Sequence, residues 1–281
     1  MDYGKLLTYR VDAAFATDNE EDGKRTHLGA SVLGDDCMRA VWFSFHWADK
    51  EQFEGRMLRL FNRGHHQEEI FADLLRGIGA TVWTADANGK QFRISEFGGH
   101  FGGSADGVAI NLPNLPAPYL PGTPVLLEFK THNDKSFKAL EKGGVREAKP
   151  KHFKQLQLYM HKLELKLCLY MAVNKNDDAL YFELIHYDEQ VGIQLLNRAQ
   201  TIIFGDGLPP RISESPSWFA CKFCSMKGVC FKFKEPDQNC RTCAHSRPEQ
   251  DGTWSCRFNY PEIDTQPKVG CDKYEVSPLF I

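Results

Sequence analysis

The sequence predicts a mixed α/β core followed by a small cysteine-rich tail. Three observations predict it. Apolar residues recur at helical spacing on both sides of a series of short β-branched and aromatic runs. Those segments follow the order helix, a series of strands, helix, strand, strand, helix. Of the nine cysteines, Cys221, Cys224, Cys230, Cys240, Cys243, Cys256 and Cys271 crowd the last quarter, while Cys37 and Cys168 stand apart.

The elements follow in order. Residues 1 to roughly 30 are polar and weakly patterned, which predicts an arm or an irregular start. Ser31 to Trp47 reads as a helix with an aromatic inner face. From Glu51 to Ile78, Phe53, Met57, Leu60, Phe61, Ile70, Phe71, Leu74 and Leu75 fall at helical spacing and predict one or two helices. Thr81–Trp83, Gln91–Phe97, Phe101–Ile110 and Val125–Lys130 read as strands. Between the last two, Pro113, Pro116, Pro118 and Pro121 force an irregular loop. Lys151–Leu165 is predicted helical, Leu167–Val173 and Ala179–His186 as strands, and Glu189–Ile203 as a helix.

Length allows one large domain plus an appendage, predicted as 1–235 and 236–281. No apolar run is long enough for a transmembrane helix, and Met1-Asp2-Tyr3-Gly4-Lys5 lacks a signal-peptide pattern, so a cytoplasmic chain with no membrane partner is expected. A net charge of -3 argues against a general nucleic-acid coat protein but allows an enzyme whose positive charge is local. In a reducing compartment the clustered cysteines point to metal rather than disulfides.

The chemistry concentrates in Gly103-Ser104-Ala105-Asp106-Gly107 and Leu126-Leu127-Glu128-Phe129-Lys130. In an extended strand Glu128 and Lys130 share a face while Phe129 points to the core. Asp106 and Glu128 beside an ammonium suit a hard divalent cation, Mg²⁺ or Mn²⁺, and a phosphodiester. Lys130 would orient a water or stabilise charge on phosphorus. An acid-x-lysine triplet alone is common on surface strands. Three features add weight. Gly64-His65-His66-Gln67-Glu68-Glu69 lies in a helical segment, where Glu68 can project from behind a close-packed glycine. Lys151, Gln155 and Tyr159 fall at i, i+4 and i+8, a stripe apt for a DNA backbone. Lys135, Lys138, Lys142, Arg146, Lys149, Lys151 and Lys154 form a basic run whose Gly143-Gly144 suits a mobile loop over substrate; Arg146, Lys151 and Lys154 are the candidate DNA contacts.

In this order the motifs resemble the PD-(D/E)XK nucleases of the RecB-like and lambda-exonuclease-like branch: Gly64-x-x-x-Glu68, Asp106-Gly107, Glu128-Phe129-Lys130 and Gln155-x-x-x-Tyr159. Ala105 stands where the family has proline. The resemblance implies a restriction-endonuclease-like core, a central mixed sheet flanked by helices. It implies that Glu68, Asp106, Glu128 and the Phe129 carbonyl hold the metal, that Lys130 assists the attacking water, and that Gln155 and Tyr159 position the scissile strand. His65, His66 and Glu69 are alternatives to Glu68. Cys37, with the late Cys221-x2-Cys224-x5-Cys230, is similar to the pattern by which the CRISPR-associated pre-spacer nuclease and the AddB-type domain bind a [4Fe-4S] cluster; zinc is the alternative there.

Cys240, Cys243, Cys256 and Cys271 form a second set, for which zinc is expected, with His245 as a substitute ligand and free thiols or a second cluster as alternatives. Cys168 reads as a buried strand cysteine. The activity implied is a Mg²⁺- or Mn²⁺-dependent deoxyribonuclease, an exonuclease on DNA ends in recombination, repair or phage DNA metabolism, with two alternatives. These are a non-catalytic DNA-binding module serving a helicase, recombinase or single-strand-binding partner, and a structure- or site-specific endonuclease.

Overall fold

A computed structural model describes residues 2–21, 25–49, 53–258 and 271–281. In chain order the elements are α1 (Tyr3–Glu21), β1 (Leu28–Gly29), α2 (Ala30–Leu33), α3 (Met38–Phe45), α4 (Gly55–Gly77), β2 (Thr81–Trp83), β3 (Arg93–Glu96), β4 (Phe101–Ser104), β5 (Gly107–Ile110), β6 (Val125–His132), α5 (Asp134–Ala148), α6 (Pro150–Leu163), β7 (Leu167–Asn174), β8 (Leu180–His186), α7 (Glu189–Phe204), α8 (Phe219–Lys222), α9 (Lys227–Cys230), β9 (Ser246–Pro248) and β10 (Trp254–Cys256). Glu51 and Gln52, at the start of one predicted helix, and residues 259–270 of the tail lie outside the described residues. No helix among those described is long and apolar enough to cross a membrane.

The chain divides into two compact units. The first comprises Met1–Gly23, Phe53–Ile94 and Ser104–Ile193. Its five-stranded mixed sheet has the order β2-β5-β6-β7-β8, antiparallel except for the β6–β7 pair. A parallel neighbour needs a crossover, and α5 and α6 supply it. Alternation then sorts the side chains of β6. Leu127 and Phe129 join Phe71 and Leu75 of α4, Val82, Ala109 and Met171 in the core. Leu126, Glu128 and Lys130 take the opposite face, with Cys168 and Tyr170 of β7 set beside them by the register Leu126↔Cys168 and Glu128↔Tyr170. Helices α5 and α6 pack on these two strands.

The second unit comprises Lys24–Gln52, Ser95–Gly103 and Gln194–Ile281. Here β1 runs parallel to β4, and β9 and β10 form an antiparallel hairpin. A charged side chain, Arg241, is buried in it, 3% exposed. The guanidinium donates to the carbonyls of Phe45 (2.9 Å) and Thr26 (2.6 Å) and lies over the rings of Trp47, Trp254 and Phe45 at 4.1, 4.8 and 5.2 Å.

Several expected elements differ. The irregular start is instead helix α1, whose apolar residues do not line one face; it packs along α4. A Cβ at Gly55 would run into the Asp12 backbone, so glycine permits that approach, and Arg59 pairs with Asp12. The Ser31–Trp47 helix is two, because the chain between them turns through an extended Cys37 (φ −85°, ψ 99°) whose N–H donates to Asp35. The Phe101–Ile110 strand breaks at Ala105-Asp106, where the chain leaves its pairing with β1 and enters the five-stranded sheet. The mobile loop expected around Gly143-Gly144 is helix α5, anchored by Phe137, Leu140 and Val145; its lysines disguised that stripe. Gly144 (φ +68°) kinks it, and the Val145 N–H donates to Glu183 at 2.7 Å.

Candidate active site

The break before β5 places Asp106 against β6. Its Oδ2 accepts the Phe129 N–H at 2.7 Å, fixing the carboxylate to the strand that carries the other two groups. Gly107 is required beside it: a Cβ there would meet the Trp83 carbonyl oxygen at 2.7 Å. Glu128 and Lys130 project from one face of β6 and form an ion pair, with side chains 1% and 27% exposed. Lys130 Nζ also donates to the Phe129 carbonyl at 3.0 Å and lies 4.0 Å from Asp106 Oδ2. The ammonium thus sits among three of the oxygen donors that the sequence predicts for a metal. Phe129's ring turns away, tilted against Phe71 at 5.2 Å.

Burial dominates the electrostatics. It pushes Glu128 up to about 7, with the charge of Lys130 opposing and that of Asp106 assisting. Burial pulls Lys130 down, yet the Glu128 and Asp106 charges outweigh it and hold the ammonium above its ordinary value. Glu68 of α4 is raised by burial and then by Asp106, which brings it to the same cluster; its carboxylate meets His65 Nδ1 at 3.2 Å. His66 and Glu69 are exposed, as is His65. Gly64 is not the close-packed glycine expected, since a Cβ there would meet nothing within 4 Å; Glu68 comes forward by helical phase alone.

Helix α6 supplies the rest. Gln155 Nε2 donates to Glu128 Oε1 and to the Tyr159 hydroxyl, both at 3.3 Å. Tyr159 is 3% exposed, and burial, then Glu128, raises its phenol. Lys151 is exposed and Lys154 half-buried, while Arg146 lies over the Phe153 ring at 4.8 Å and reaches Asp188 at 3.7 Å. Beneath the carboxylates Cys168 is fully buried, its thiol pushed up by burial and then by Glu128.

Two features bear on whether a divalent cation fits here. Glu128 Oε2 is buried with no hydrogen-bond partner, a carboxylate oxygen left open to a cation. The ammonium of Lys130 already occupies the oxygen cluster, so the cluster tolerates positive charge. Among the described residues no three His, Cys, Asp or Glu side chains stand arranged to hold a metal ion as they are, so a cation here would need the carboxylates to shift toward it.

Sequence reading missed a set of hydrogen-bonded polar groups behind Glu128 and Lys130. His132 continues the Glu128, Lys130 alternation on β6, and His152 precedes Gln155 by one turn of α6. Both rings meet the Tyr170 hydroxyl, at 3.0 and 2.8 Å. The Glu-x-Lys-x-His alternation was the available signal for His132; Tyr170 becomes visible only through strand register.

Both cysteine sets lie within the second unit. Burial raises Cys221 and Cys224, and the charges of Cys37 and Cys230 raise both further. Burial likewise raises Cys240, followed by Cys243, Cys271 and Cys256. Cys240 and Cys243 flank Arg241 in one 3₁₀ turn, Cys256 pairs with Ser246 across the hairpin, and Cys243 bridges Val276. His245 meets Glu275 at 3.2 Å. Among the described cysteines none is in a disulfide.

No known protein family and no curated protein matches the sequence. Solved structures to which the chain is distantly similar include three. The crystal structure of SSO0001 is 15% identical with a TM-score of 0.46, over 80% of this chain and 96% of that one. LHK-Exo in complex with dAMP is 17% identical with a TM-score of 0.43, over 69% and 90%. The alkaline exonuclease LHK-Exo from Laribacter hongkongensis is 16% identical with a TM-score of 0.42, over 64% and 87%.

Proposed function

We propose that this chain is a divalent-cation-dependent deoxyribonuclease acting on DNA ends. The observation that carries the reading is the convergence of Asp106 with Glu128 and Lys130 on one face of β6, with Glu128 Oε2 buried and unpartnered. Glu68, Asp106, Glu128 and the Phe129 carbonyl would hold Mg²⁺ or Mn²⁺, which when bound supplies Lewis-acid polarisation of the phosphodiester and acidifies water. The chain's own residues do the remainder. Lys130, held protonated by its acidic neighbours, donates to the phosphoryl oxygens where charge develops and steers the attacking water. Asp106 is locked to the Phe129 N–H, so its free oxygen keeps a fixed aim. Gln155 restrains Glu128, and Tyr159 restrains Gln155, which prevents the carboxylate from swinging away as the ion pair opens. Arg146, Lys151 and Lys154 would meet the DNA backbone.

The test is fluorescently labelled linear DNA with Mg²⁺, offered to the wild type, Asp106→Ala and Lys130→Ala. Degradation by the wild type and loss of it in both variants is expected; equal degradation by all three sinks the reading. Closed circular DNA in parallel separates end-dependent from internal cleavage.

For the cysteines we propose a [4Fe-4S] cluster on Cys37, Cys221, Cys224 and Cys230 and zinc on Cys240, Cys243, Cys256 and Cys271. Thiolate sets suit both soft centres, and a structural zinc contributes roughly 10–16 kcal/mol in small finger peptides. Protein purified without oxygen should be brown and carry iron, sulfide and zinc together. A colourless preparation holding only zinc would overturn the cluster.

A further inference from the structure

The polar groups behind Lys130 form a directed chain. Lys149 Nζ donates to Ser136 Oγ at 2.6 Å; Ser136 Oγ meets His132 Nδ1 at 3.1 Å; His132 Nε2 meets the Tyr170 hydroxyl at 3.0 Å; and that hydroxyl meets His152 Nδ1 at 2.8 Å. An ammonium can only donate, so Ser136 receives from Lys149. All four links can be made in either sense, with one proton left over, on His152 Nε2 or on Ser136; the Lys149 ammonium polarises the serine hydroxyl it donates to and favours passing the serine proton on to His132 Nδ1. His132 therefore carries its proton on Nε2 and gives it to Tyr170, whose hydroxyl donates to His152 Nδ1. The remaining proton of His152 is then on Nε2.

The surroundings of His152 say what that N–H suits. The ring is half-buried on α6, one turn before Gln155. Burial holds it down at about 3, and the charges of Lys130, His132, Lys149 and Lys151 push the same way, so the ring is neutral. His132 is held at about 4 by burial and by Lys149, Lys130 and Lys175. A neutral donor with lysines around it and, among the described residues, no carboxylate on its own nitrogens is matched to an anion.

We propose that His152 is a substrate-contacting residue, its Nε2–H donating to a non-bridging phosphate oxygen of the bound DNA strand, and that Lys149, Ser136, His132 and Tyr170 are positioning residues that fix its tautomer. This rests on the nuclease reading for its substrate. A neutral donor adds a directed hydrogen bond that does not depend on titration across neutral pH, whereas the lysines contribute charge without direction.

Two measurements test it. In ¹⁵N-labelled protein without metal, long-range ¹H–¹⁵N correlation should show His152 as the Nε2–H tautomer from pH 5 to 8, with Tyr170→Phe mixing the tautomers; an Nδ1–H tautomer overturns the proposal whether or not the protein cuts DNA. Binding of a labelled oligonucleotide in Ca²⁺ should weaken about tenfold in His152→Ala and recover in His152→Gln, which retains an N–H donor. With Mg²⁺ the loss in His152→Ala should fall on KM more than on kcat. Unchanged binding by His152→Ala overturns the proposal. Weakened binding by His152→Ala, in a protein whose wild type never cleaves DNA, would sink the nuclease reading and keep the contact. A control arm titrates inorganic phosphate: if it shifts the His152 resonances and the oligonucleotide does not, the anion is free phosphate and the assignment to a strand fails.

Discussion

Glu128→Gln should abolish DNA cleavage and, at the same time, stabilise the metal-free protein above neutral pH. The two effects have one cause. Glu128 is fully buried, with one oxygen paired to Lys130 and the other unpartnered. Its acid is pushed from 4.5 up to about 7, so between those values the folded state binds a proton that the unfolded state has lost. Stability then falls as pH rises through this window, by up to about 3 kcal/mol at 1.36 kcal/mol per pH unit. Lys130 does not reverse the slope: its value is raised, so its contribution persists until well above pH 10. Glutamine mimics the protonated acid. In EDTA the variant should match the wild type near pH 5 and exceed it at pH 8. Urea unfolding at pH 5, 6, 7 and 8 checks this, and parallel slopes for the two proteins would refute the account. Cleavage in Mg²⁺ should drop by about a thousandfold or more, since a carboxylate aimed at the cation is lost.

The second large effect concerns Arg241. Burial drops its guanidinium to about 9, still charged at neutral pH, and among the described residues its hydrogen bonds go to carbonyls rather than to a carboxylate. What holds it are two carbonyls and three aromatic faces. Arg241→Ala strips the Phe45 and Thr26 carbonyls of a charged donor and opens a void between Trp47 and Trp254. Two lost charge-assisted bonds and the cation–π contacts amount to about 4 kcal/mol, even after the relief of an expensive burial. A fall in Tm on the order of 10 °C by calorimetry is expected. Arg241→Met, which keeps much of the volume, should recover about half of it. An unchanged Tm in Arg241→Ala would show that the charge merely breaks even.

How much of this was legible in the sequence depends on range. Glu128, Phe129 and Lys130 were readable because a strand alternates faces, a rule that needs only adjacent residues. Glu68, Gln155 and Tyr159 followed from helical phase, equally local. Helix α1 was not readable, because what orders it is contact with α4 at Gly55 rather than an apolar stripe of its own. Helix α5 was hidden by its lysines. Tyr170 was beyond reach for a different reason: its place opposite Glu128 is set by the β6–β7 register, and nothing near residue 170 announces it. His132 and His152 look like isolated histidines until that hydroxyl joins them.

The parallel pairing of β6 with β7 has a kinetic corollary. Glu128 and Lys130 sit on one side of the α5–α6 crossover and Tyr170 on the other. Closing a parallel pair across two helices is a non-local event that must overcome loop entropy before any contact rewards it. Asp106 and Glu128 can meet through the antiparallel β5–β6 pair, which is nearer in sequence. The acids would therefore come together before the groups that restrain them. A nascent chain at that stage would hold a loose pair of carboxylates without the hydrogen-bonded backing that gives them direction, and the assembled site would be a product of the last long-range step rather than of the first.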